Sequence, residues 1–198
     1  MSDATMDDLQ EKIAGLSQGD KALVRDFLRF LAWRQEQARE EDAARRRPWQ
    51  YSFLEHFDEA SVSSSKDPAG MEVKVAIATA GGFARPALWQ HPPVTGEALV
   101  TFHVPVPAGI RNLRLQFATG IRDGAQGEDQ LIAFRIRVDG WQIWSRANWP
   151  NRWEPALVQL PFQAGSMLEL AFATDGLGRH PWAWAVWAEP ALIGELAA

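Results

Sequence analysis

The sequence predicts a mainly β protein, an antiparallel β-sandwich preceded by an N-terminal α-helical hairpin. Three observations carry that prediction. Ile132, Phe134, Ile136 and Val138 alternate with Ala133, Arg135, Arg137 and Asp139, the period of two of a strand with one buried and one wet face. Asp139-Gly140 separates this run from Trp141-Gln-Ile-Trp-Ser145, and Asp-Gly accepts the positive φ angles of a type I′ hairpin turn. Before Pro48, by contrast, apolar residues recur at helical spacing, and after it no helical period returns.

Leu9, Ile13 and Leu16 fall on one face of a short amphipathic helix over Asp7 to Leu16. Ser17-Gln-Gly-Asp20 interrupts it and resembles a capping box with an unusually short acid. A second helix is expected from about Gln18 to Arg46. Its apolar residues Leu23, Val24, Phe27, Leu28, Phe30 and Leu31 cover an arc of roughly 160° at about 100° per residue. That is wider than a single seam, so this face is the candidate surface for a protein partner or a second copy. Arg34 to Arg47 is dense in both charge signs, with Glu41–Arg45 and Asp42–Arg46 at a favourable i, i+4 spacing. A solvated spacer is preferred there over an anion-binding Arg45-Arg46-Arg47 patch. Pro48 is expected to end the helix. The domain boundary follows: residues 1–47 form a helical docking or oligomerisation segment and 48–198 a β-sandwich binding domain.

Past Pro48, Val73, Val75 and Ile77 are expected inward on one strand, and Val100, Phe102 and Val104 on the next. Leu113, Leu115 and Phe117 mark a third, and Leu168, Leu170 and Phe172 another. Trp182 to Ala188 and Ala191 to Ile193 suggest a closing strand, with Glu189 as a turn residue before Pro190. Arg114, Arg135 and Arg137 are expected on one outer sheet face, as solvated positions or a docking face for an acidic partner. Ser61 to Gly70 and Gly120 to Asp129 read as loops. Short strands between Gly, Pro and Asp loops indicate a sandwich or barrel, not a parallel α/β sheet.

Composition bounds the function. With 46% hydrophobic residues, a large core is within reach, while a net charge of -5 argues against general nucleic-acid binding. The absence of cysteine removes disulfides, thiol chemistry and cysteine zinc sites. No apolar leader is visible and no apolar run is long enough to span a membrane, so a cytoplasmic location is the default expectation. Ten tryptophans against one tyrosine stand out, because indoles serve both as core and as flat binding platforms.

Several pieces together resemble a family. They are Leu88-Trp-Gln-His-Pro-Pro93, Val104-Pro-Val-Pro107, Phe117-Ala-Thr-Gly-Ile121, Phe134-Arg-Ile-Arg-Val-Asp-Gly140 with Ile143-Trp144, and Trp184-Ala-Val-Trp-Ala-Glu-Pro190. Their order and spacing are similar to the galactose-binding-domain-like β-sandwiches, especially the group named for a novel carbohydrate-binding module. The resemblance covers about Tyr51 to Ile193. It implies a jelly-roll sandwich and a non-catalytic module that recognises a carbohydrate-like polar ligand. The N-terminal pair of helices resembles the short helical segments of some bacterial antitoxin-like proteins, which implies helical self-association.

No nucleophile elbow, phosphate loop or dinucleotide fingerprint is present, and His56, His91, His103 and His180 lack metal-ligand spacing. No enzyme activity and no cofactor are therefore expected. Asp123, Glu128, Asp129, Asp175 and Glu189 are the carboxylates a hydrolase would need to pair. Asp123-Gly-Ala-Gln-Gly-Glu-Asp129 offers oxygens suited to calcium in the region where relatives sometimes hold a structural calcium. It matches no spaced calcium motif, and an ordinary acidic turn is the stronger reading.

The better site candidate is the loop from Arg146 to Pro155. Trp149 and Trp153 lie in a stretch broken by two prolines, and a flat indole stacks on the C–H face of a sugar while Asn151 and Arg152 supply hydrogen bonds. Arg179, His180 and Trp182 sit in a second loop that a sandwich brings to the same end. The competing reading is that these tryptophans cover the end of the core. The alternative function is a cytoplasmic structural or adaptor protein acting through the N-terminal helix.

Overall fold

The computed structural model describes residues 11–44, 46–64, 72–93, 95–125, 131–148, 151–178 and 184–197. The chain divides into two compact units, Met1–Arg46 and Arg47–Ala198.

In the first unit a helical stretch at residues 11–14 precedes helix α1, Gln18–Ala44. Ser17 caps α1: its hydroxyl accepts the Asp20 N–H at 3.2 Å and donates to the Asp20 carboxylate at 2.6 Å. The box closes through the hydroxyl, as suits the short acid. Leu23, Phe27, Leu28, Phe30 and Trp33 are each half or more exposed, while Val24 and Leu31 are partly covered. The helix stops two residues short of the expected Arg46, and Pro48 lies inside a strand rather than at a helix end. The physical reason is the same restriction that suggested a helix stop. A residue before proline is driven to extended geometry, and an edge strand accommodates that as well as a loop does.

In the second unit two antiparallel sheets face each other. The first holds β1 (Arg46–Ser52), β3 (Lys74–Ala80), β4 (Phe83–Trp89), β6 (Ile110–Ile121), β9 (Trp153–Gln159) and β11 (Ala185–Ala197). Its order is β3-β4-β11-β6-β9, with β1 also on β11. The second holds β2 (Ser61–Ser64), β5 (Glu97–Pro105), β7 (Ile132–Val138), β8 (Trp141–Asn148) and β10 (Met167–Asp175), in the order β2-β5-β10-β7-β8. The predicted hairpin is β7–β8, and Asp139 and Gly140 both take positive φ, 49° and 80°, as a type I′ turn requires. Phe134 is fully buried, and the next residue, Arg135, faces the other way.

The core is aromatic. Phe53, Phe102 and Phe172 meet edge to face with centroids 4.8 to 5.9 Å apart. Trp187 is fully buried and packs against Phe117, Phe134, Trp144 and Phe172. A long polar side chain crosses this core between the sheets. Gln90 is fully buried and donates from Nε2 to the carbonyls of Ala98 at 2.7 Å and Phe172 at 2.8 Å, both in the second sheet. Its Oε1 accepts the Trp187 indole N–H at 2.8 Å. Its backbone N–H donates to Ala185 and its carbonyl accepts the Thr174 hydroxyl, so every polar group it has is used. Burial, with a smaller contribution from Glu59, raises the hydroxyl pKa of Tyr51, the one tyrosine in the chain, above the usual range.

Ser61 to Gly70, read as a loop, begins with strand β2 at Ser61–Ser64, which pairs with β5, and three further expectations change. Val75 and Ile77 are 39% and 61% exposed, whereas Ala78 and Ala80 on the opposite face of β3 are buried. An edge strand has a neighbour on one side only, so alternation marks its faces without deciding which is covered. Arg114 lies in the first sheet and Arg135 and Arg137 in the second, so they do not share a face. Arg135 pairs with Glu97 and Asp175, and Arg137 with Glu97, at 2.6 to 3.1 Å. Glu189 is no turn: it sits in a bulge of β11, at φ 45°, where the register slips between Ala188 and Ala191. There β11 changes neighbour along one edge, from β4 to β1, while β6 runs the length of the other.

Candidate functional site

The C-terminal ends of β6, β8 and β10 and the starts of β7, β9 and β11 collect at one end of the sandwich, because neighbouring strands run antiparallel. The β3–β4 tip is tied to the same end. The Asp123 carboxylate accepts the N–H groups of Gly81 at 2.7 Å and Gly82 at 2.9 Å, while its own N–H donates to Thr79. A carboxylate on two backbone donors makes charge-assisted bonds, so the tip is held by Asp123 rather than by apolar contact alone.

Trp153 opens β9 opposite Gly120 of β6. A Cβ on Gly120 would lie 2.8 Å from the indole ring, so only glycine lets the ring lie flat on the sheet there. The indole N–H donates to the Phe83 carbonyl at 2.8 Å, and the Arg85 guanidinium lies 5.6 Å from the ring centroid. Trp153 thus joins Ala78, Ala87, Val186 and Trp89 in a small cluster on the outer face of the first sheet. Asn151 holds φ 65°, and its carbonyl fills the space where a Gly81 Cβ would stand, 2.6 Å away. Arg152 is exposed and pairs with Glu154, which also takes Arg146. Asn151, Arg152 and Trp153 therefore meet the β3–β4 tip. Trp149, Arg179, His180 and Trp182 lie outside the described residues, as do Glu128 and Asp129.

A second group at this end was not foreseen. The Arg122 guanidinium lies 3.7 Å from the ring centroid of Trp89 and 4.8 Å from that of Trp184, and Lys74 stands 4.5 Å from Trp89. Lys74 also pairs with Glu72 at 2.8 Å. That hydrogen bond is the main reason the Glu72 carboxyl sits below its ordinary range; desolvation opposes it, and the charges of Lys74, Arg122 and His91 add to it. No spacing rule foretells this group, since its members come from four separate stretches. Asn148 and Thr119, both buried, join β8 to β6 through a 2.6 Å bond.

Of the carboxylates a hydrolase would pair, the three among the described residues are engaged elsewhere. Asp123 holds the β3–β4 tip, Asp175 pairs with Arg135 and accepts the Leu177 N–H, and Glu189 pairs with Arg85. Among the described residues no three acidic, histidine or cysteine side chains group as a metal site, and no helix is long and apolar enough to cross a membrane.

No family model and no curated protein matches this sequence. Solved structures do. The CBM51-2 and INT domains of ZmpB from Clostridium perfringens, in complex with GlcNAc, align over 74% of this chain with a TM-score of 0.50 and 12% identity. The chain spans about a third of that structure, 32%. The CBM51 of Clostridium perfringens GH95, in complex with methyl-galactose, aligns over 73% of this chain and 99% of its own length, with a TM-score of 0.49 and 10% identity. The K1 cleaved adhesin domain of Lys-gingipain from Porphyromonas gingivalis aligns over 74% and 97%, with a TM-score of 0.47 and 13% identity. The sandwich shares the galactose-binding-like β-sandwich fold with the first of these structures. At these identities the likeness is one of fold.

Proposed function

We propose that the sandwich is a non-catalytic module that binds a carbohydrate-like polar ligand at the end where Asn151, Arg152 and Trp153 meet the β3–β4 tip, with Trp149, Arg179, His180 and Trp182, close by in sequence to described residues of that end, as further candidates. The observation that carries this reading is the fold shared with the GlcNAc-bound CBM51-2 structure, together with an end rich in indole, amide and guanidinium groups. Indole faces match the C–H faces of a sugar, and amide and guanidinium groups match its hydroxyls. The test is a calorimetric titration with galactose and N-acetylglucosamine. Binding is expected for at least one sugar and should weaken about tenfold or more in Trp149→Ala or in Arg152→Ala, the scale of one or two lost hydrogen bonds or a lost ring contact. No binding to either sugar would remove the reading.

The helix supports a second role. Leu23, Phe27, Leu28 and Phe30 are exposed along α1, with Val24 and Leu31 partly covered between them, and so wide an apolar face is costly to leave in water. We infer that these residues meet a second copy of the chain or another protein. Light scattering should give a mass above one chain that falls in Phe27→Glu, while a monomer at all concentrations would count against self-association.

A further inference from the structure

The outer face of the first sheet carries two depressions, of about 350 and 600 Å³. Both are lined by Gln116 and Glu189, so they form one trough. It runs across four neighbouring strands, from Leu157 on β9, over Gln116 on β6 and Glu189 on β11, to Gln50 and Ser52 on β1. Three inter-strand steps of about 4.8 Å make it roughly 14 Å long. At its middle Glu189 holds the strained φ of 45° in the β11 bulge and points its carboxylate at Arg85, which donates from Nε at 2.9 Å. The bulge is explained by the change of strand neighbour; a glutamate rather than a glycine at that φ is not.

We propose that this trough is a second binding site, for a neutral oligosaccharide segment laid across the strands. The inference rests on the carbohydrate-binding reading and extends it from one end of the sandwich to a face. The chemistry of the lining selects the ligand class. Arg85 and Glu189 offset each other, and Glu55 beside β1 leaves the lining with a further carboxylate, which disfavours an anion as ligand. Gln50, Gln116 and Ser52 each both donate and accept, as hydroxyl groups require. Leu157, 53% exposed, and the partly covered Ile193 offer apolar surface to the C–H faces of sugar rings. An added peptide strand is disfavoured, because β6 and β11 are interior strands whose backbone groups are already paired on both sides.

The test is an NMR titration of the full chain with galactose, N-acetylglucosamine and the β-linked trisaccharide of each. A trisaccharide should shift the side-chain amides of Gln50 and Gln116 and the methyls of Leu157 and Ile193, where the single sugars do not. Gln116→Ala and Leu157→Ala, both at exposed positions, should each weaken the trisaccharide about five- to tenfold and leave the single sugars unchanged. Shifts confined to residues 151–153 and their neighbours would overturn the trough and leave the loop-end reading standing. No shift with any of the four sugars would overturn both.

Discussion

Replacing Gln90 with leucine is expected to destabilise the sandwich by about 3 to 5 kcal/mol, although the two side chains are similar in volume. The loss is one of hydrogen bonding. Gln90→Leu strands the carbonyls of Ala98 and Phe172 and the indole N–H of Trp187, all of which now end on the glutamine amide. A buried polar group left without a partner costs about 1–3 kcal/mol. The backbone bonds of residue 90, to Ala185 and from Thr174, do not need the side chain and limit the damage. Urea unfolding followed by tryptophan fluorescence measures the change; a loss below about 1 kcal/mol would mean that the tie contributes little. The proposed binding end should suffer with the fold. Gln90 joins β4, β5, β10 and β11 at the end where Asn151 and Trp153 stand, so backbone exchange at residues 97–99 and 185–187 should quicken in the variant.

Trp187→Ala is expected to cost about as much, roughly 3–5 kcal/mol, by a different route. The indole is fully buried, and its ring centroid lies 5.1 Å from those of Phe134 and Phe172 and 5.4 Å from that of Phe117. Its removal leaves a cavity among rigid rings from both sheets, which relax only partly around it. It also leaves Oε1 of Gln90 without its donor. The same urea unfolding should show a sharply lowered midpoint, with near-ultraviolet dichroism weakened because the aromatic cluster loses its centre. A variant with nearly unchanged stability would place the weight of the core elsewhere.

These two residues also show how much the sequence tells. The strands that carry clear alternation, β5, β6, β7 and β10, were legible because each has a partner on both sides and a core on one face, so period and burial coincide. Asp139-Gly140 was legible because its backbone demand is local. Trp187 lies in the stretch read as a closing strand, yet the glutamine that accepts its N–H carries no such signal, since three of its partners stand 8, 82 and 97 residues away. Strands β1, β4 and β9 escaped notice for a related reason. Each contains a proline, at Pro48, Pro86 and Pro155, and none alternates plainly.

The place of the candidate residues in the fold was partly legible. Asn151, Arg152 and Trp153 were singled out because prolines break the strand pattern around them, and they do stand at the end of the sandwich. The seat of Trp153 on Gly120, its bond to Phe83 and the Arg122 cluster depend on contacts between distant stretches, which no spacing encodes. Asp123 drew attention as a carboxylate on a glycine-rich loop. Its partners turned out to be two glycine N–H groups more than 40 residues away.

The two sheets are joined at the loop end through Gln90 and Trp187. A double-mutant cycle tests that directly, pairing Gln90→Leu with Trp187→Phe, which keeps an aromatic ring and removes the N–H. The account predicts that the two losses are far from additive, with a coupling of about 1 kcal/mol or more, since either change alone strands the other group. Losses that add within about 0.3–0.5 kcal/mol would show that the two residues act independently and would contradict it.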